Sequence, residues 1–136
     1  MPQTIAALQP IVALLLWTSV VWIWMYALRI PALQANKAID LNNWVGGTGK
    51  QLDDALPPKV QWAAHNYNHL HEAPVGFYAV MLCFAVLGES PALVTGLAWA
   101  YVGLRIAHSL VQILWNKVTV RFTLFAVSSL CLIALI

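Results

Sequence analysis

Residues His65 to Glu72 read HNYNHLHE, with three histidines, two asparagines and one glutamate in eight positions. Imidazoles and a carboxylate three and four residues apart can relay protons, ligate a metal or grip a charged ligand. A helix advances about 100° per residue, so His65, Asn68, His69 and Glu72 fall in one stripe and His71 on its flank. A second set follows at spacings of four, three and four: Tyr101, Arg105, His108 and Gln112. These also share one helix face. Arg121 adds a further cation. Two guanidiniums thus face one obvious buried acid, Glu72, and the surplus positive charge calls for a bound anion. Two other readings stand beside this one. Glu72 and Arg105 can form a structural ion pair, and His65, His69 and Glu72 have spacings that suit a metal, although HExxH is absent.

The elements that carry these residues are hydrophobic. The chain has 136 residues, of which 61% are hydrophobic and only 9% charged. A soluble domain carries about 25% charged residues. The composition therefore predicts an all-α integral membrane protein with a single domain, 1–136, in which polar residues at membrane depth face a bundle interior or a wet cavity. Four spans are expected, roughly 10–29, 59–87, 92–115 and 118–136. About 20 residues at 1.5 Å each cross a hydrocarbon core of about 30 Å. Pro57 and Pro58 open the second span, where missing N–H groups cost little. Pro74 should bend it just past the polar cluster, because it deprives the Leu70 carbonyl of its donor.

Charge sets the orientation. Arg29, Lys37, Lys50 and Lys59 flank or occupy the first connection, and Lys117 lies in the third. The excess predicts a cytoplasmic loop 30–58, with both termini on the non-cytoplasmic side. The stretch GGTGK in that loop lacks the P-loop arrangement: Trp44 stands where its first glycine belongs, and Gln51 follows the lysine. A net charge of +2 without a basic run gives no support for nucleic acid as a partner. Cys83 and Cys131 lie in apolar runs and read as small buried hydrophobes. Seven tryptophans suit interfacial belts.

NYNHLHEAPVGFY, together with Arg105-x-x-His108 and Arg121 thirteen residues later, resembles the MAPEG family, the membrane-associated proteins of eicosanoid and glutathione metabolism. The similarity spans nearly the whole chain. It implies a four-helix bundle that assembles as a homotrimer and uses glutathione as co-substrate. By the same resemblance Asn68, Glu72, Arg105, His108 and Gln112, with His65 and His69 beside them, hold glutathione, and Arg121 is catalytic, stabilising the thiolate. Gln112 stands where many members carry tyrosine, and Asn68 and Glu72 are four apart where the family has three. The activity implied is transfer of glutathione to lipophilic electrophiles, or reduction of lipid hydroperoxides. The alternative is a non-catalytic lipid-binding or scaffold protein of the same fold. On either reading the partners are membrane lipids and a lipophilic small molecule.

Overall fold

The computed structural model describes residues 1–40 and 42–136. Among them the chain forms six helices: α1 Pro2–Ala35, α2 Gly49–Ala55, α3 Pro58–Glu72, α4 Val75–Leu87, α5 Ala92–Leu114 and α6 Val118–Leu135. Prolines sit in the first turn of both α1 and α3, where the fixed φ is already helical and the absent N–H has no partner to lose. α1 is longer than the expected first span at both ends. It passes through Pro10 and Pro31 without a break, each ring removing one hydrogen bond from a helix braced by its neighbours.

The expected second span is two helices. Ala73 N–H still reaches the His69 carbonyl at 3.0 Å, and Tyr78 N–H reaches the Pro74 carbonyl at 3.0 Å. Between them the axis turns by 41°. The buried Pro74 ring lies at this break, with no N–H to offer the Leu70 carbonyl. α1, α5 and α6 are each long and apolar enough to cross a membrane, and α3 with α4 make a fourth crossing if the bent pair counts as one. α4 stops at Gly88, whose φ of 70° puts it in the left-handed region. Glu89 N–H then returns to the Phe84 carbonyl at 3.2 Å, closing the helix end in the manner glycine favours.

The loop between the first two spans carries α2, which sequence inspection did not mark. Its start is a capping box: Thr48 N–H donates to Gln51 Oε1 at 2.9 Å. Nearby, Asp40 accepts hydrogen bonds from Asn43 Nδ2 at 2.6 Å and Asn42 N–H at 3.1 Å. These bonds, the Asn43 side chain first, hold its carboxyl below the usual carboxylate range.

α1 is the spine of the bundle, packing on α3, α4 and α5, while α5 and α6 form a close hairpin. Ala7, Leu14 and Val21 of α1, Phe77 and Met81 of α4, and Ala98 and Tyr101 of α5 are buried at the centre. Phe77 and Tyr101 stack with ring centroids 4.4 Å apart. This packing fixes the polar face of α5 against α3 and α6.

Candidate functional site

A cavity of about 470 Å³ opens between α3, α5 and α6. His65, Asn68, His69 and Glu72 line it from α3, His108 and Gln112 from α5, and Val118, Arg121, Phe122 and Phe125 from α6. The structure thus gathers all but one of the residues that the family resemblance assigns to glutathione and catalysis; Tyr101 and His71 also lie outside the lining. The exception is Arg105. Its side chain is fully buried, 0% exposed, behind the cavity wall, with Cζ 5.9 Å from the centroid of the Phe125 ring.

The arrangement around Arg105 corrects an expectation. Glu72 is the last residue of α3 and is exposed at the cavity edge, so it is not a buried acid. The Glu72–Arg105 ion pair does not form. Among the described residues the only contact between an acid and a basic side chain within 4 Å is a hydrogen bond, His65 Nε2 to Asp53 Oδ1 at 3.0 Å. The reason is position: the Pro74 break ends α3 at Glu72, while Arg105 sits deep in α5 beneath Phe125. None of the three guanidinium nitrogens of Arg105 has a hydrogen-bond partner among the described residues.

Within the cavity His69 and His108 pair with each other, while His65 at its mouth meets Asp53. The rings of His69 and His108 lie 5.0 Å apart with 36° between planes, and Phe125 is 5.5 Å from the first and 6.5 Å from the second. His69 Nε2 and His108 Nδ1 are buried and unpartnered among the described residues. No group of three or more metal-type ligands occurs among the described residues, so His65, His69 and Glu72 do not form the metal cluster that their spacing allowed. His65 faces instead the loop helix α2 through Asp53. His71 bonds through Nδ1 to the Tyr67 carbonyl at 2.9 Å and lies off the cavity.

Three contributors escaped sequence inspection. Asn66 is fully buried and donates from Nδ2 to Gln112 Oε1 at 2.9 Å. With its oxygen so engaged, Gln112 keeps its NH₂ donors for the cavity. The signal was the second asparagine of the cluster, on the opposite side of α3 from Asn68. Asp53 ties α2 to the cavity mouth. Asn116 accepts from Arg121 Nη1 at 2.6 Å.

Chemically, the site offers a half-buried guanidinium at Arg121, a carboxylate at Glu72 and amide donors at Asn68 and Gln112. Its apolar wall, Val118, Phe122 and Phe125, belongs to α6 alone. The volume falls within the range of about 300–1,000 Å³ usual for small-molecule sites. Neither the curated proteins nor the solved structures provide a match to the chain. The family model described as the MAPEG family matches residues 7–136, nearly the whole chain, and the protein is an integral membrane member of the MAPEG family.

Proposed function

We propose that the protein is a glutathione-dependent membrane transferase or peroxidase acting on lipophilic electrophiles or lipid hydroperoxides, assembled as a homotrimer. The observation that carries this reading is the cavity, which sets the Arg121 guanidinium, the Glu72 carboxylate and the amides of Asn68 and Gln112 around one volume of about 470 Å³. Behind its wall the buried Arg105 has no hydrogen-bond partner among the described residues; a buried charge without a partner costs several kcal/mol, and an anion in the cavity would offset part of that cost through space. Glutathione suits the charges present. Its carboxylates match the amide and imidazole donors around the cavity, and its ammonium matches Glu72. Arg121 beside the sulfur favours thiolate over thiol, which otherwise has a pKa near 8.5. An electrophile arriving against Phe122 and Phe125 is attacked by that thiolate. The new carbon–sulfur bond forms as the leaving group departs with its electron pair or a proton is taken up. With a hydroperoxide the oxygen–oxygen bond breaks, and two glutathiones supply the two electrons, giving an alcohol, water and the disulfide.

The test is calorimetric titration of the purified protein with glutathione. Saturable binding is expected, and Glu72→Gln, which keeps shape and removes charge, should weaken it by about 1.5–3 kcal/mol, one charge-assisted hydrogen bond. Absence of saturable binding to the wild type would favour the lipid-binding or scaffold reading.

The same proposal places residues 30–58 on the cytoplasmic side and both termini opposite. A cysteine at Gly49, where an added Cβ meets nothing within 4 Å, should resist an impermeant maleimide in intact cells and react after permeabilisation. Labelling of intact cells would reverse the orientation.

A further inference from the structure

We propose that Asn116 is a positioning residue that fixes where the guanidinium of Arg121 stands in the cavity. Its catalytic meaning rests on the glutathione reading above; its structural meaning does not.

The α5–α6 connection is three residues long, Trp115 to Lys117. Trp115 N–H and Asn116 N–H both converge on the Val111 carbonyl, at 3.0 and 2.6 Å. To make this turn, Asn116 adopts φ of 54°, the only positive φ at a non-glycine residue among the described residues. Glycine is the unstrained choice for such a backbone, and asparagine tolerates it. A position that needed only the turn would be served by glycine. Asparagine adds a side-chain amide, and its carbonyl oxygen accepts the 2.6 Å hydrogen bond from Arg121 Nη1.

The backbone of Arg121 is fixed as well, its N–H donating to the Lys117 carbonyl at 3.0 Å. The other cation of the turn, Lys117, stands 5.2 Å over the Trp115 ring and does not line the cavity. The turn therefore sorts its two cations, one onto an aromatic ring and one into the site. The amide is also the right chemistry for the task. An aspartate would hold the guanidinium as firmly but offset its charge. A neutral carbonyl holds it and leaves the full charge for an anion.

Asn116→Gly keeps the left-handed turn and removes the acceptor. The first measurement needs no ligand: ¹⁵N NMR of arginine side chains, with Arg121 assigned by its disappearance in Arg121→Leu. Slow rotation of the Arg121 guanidinium is expected in the wild type and in Asn116→Asp, and fast rotation in Asn116→Gly. The second follows the ultraviolet absorbance of bound glutathione thiolate against pH. Asn116→Gly should raise the titration midpoint by about one unit, a tenfold loss of thiolate well below the midpoint. Asn116→Asp should lose thiolate too, although its arginine stays still. Asn116→Gly added to Arg121→Leu should cause no further change, since both act through one group. Equal guanidinium mobility in wild type and Asn116→Gly overturns the proposal, as does a full additional loss in the double variant. A wild type that binds no thiolate defeats the glutathione reading instead, and the NMR comparison still decides the role of Asn116.

Discussion

Arg121→Leu is expected to return the thiol of bound glutathione to its free behaviour, titrating near pH 8.5 instead of at the depressed values, about 3.5–7.5, seen beside fixed cations. Each unit of that rise corresponds to about 1.36 kcal/mol of lost thiolate stabilisation. Turnover at neutral pH should fall with the thiolate fraction and recover partly in alkali. Arg121→Lys should lie between, because the charge survives but the planar fork that reaches both Asn116 and the ligand does not. The measurement is an ultraviolet difference titration of all three proteins saturated with glutathione. A leucine variant that titrates with the wild type would remove Arg121 from the chemistry.

Arg105→Met should have two effects of opposite sign. The buried guanidinium has no hydrogen-bond partner among the described residues, so an apolar side chain of similar length should raise the stability of the ligand-free protein, by roughly 1–4 kcal/mol. The same change should weaken glutathione binding by about 1 kcal/mol, because the guanidinium stands behind the cavity wall and acts on the anion through space, not by contact. Melting curves with and without glutathione read both. The expected pattern is a higher midpoint without ligand and a smaller ligand-induced rise. A lower ligand-free midpoint with an undiminished ligand response would mean that Arg105 braces the bundle and grips no anion.

How far such residues could be read beforehand depended on whether one helix or several set their surroundings. Arg105, His108 and Gln112 share a face by helical period alone, and the structure keeps them on one side of α5. Pro74 signals its bend by leaving the Leu70 carbonyl without a donor, although Pro10 and Pro31 do the same within α1 and do not break it. Glu72 was misplaced because burial belongs to the packed bundle: period puts it in the stripe, but the end of α3 carries it to the exposed edge. Asn66 and Asn68 look equivalent in the sequence. Only the approach of α5 decides that Asn66 is buried against Gln112 while Asn68 faces the cavity. α2 was hidden because seven residues give too short a pattern, and its Asp53–His65 contact spans twelve positions. Asn116 was hidden for a different reason, since nothing in NK between two apolar runs reveals a positive φ.

The wall that α6 gives the cavity has a kinetic consequence. Phe122 is 67% exposed in the single chain while also lining the cavity, so where lipid reaches this face of α6 the pocket and the hydrocarbon share a boundary. For an apolar reactant that crosses there, the relevant abundance is its mole fraction in the bilayer, not its amount per litre of suspension. Inert lipid then acts as a diluent: half-saturation expressed per unit of bulk volume climbs with the quantity of membrane, while the same constant expressed per lipid stays fixed. The water-soluble thiol obeys no such rule. With glutathione and a membrane-dissolved electrophile as the proposed reactants, one small cavity would read them on two different concentration scales.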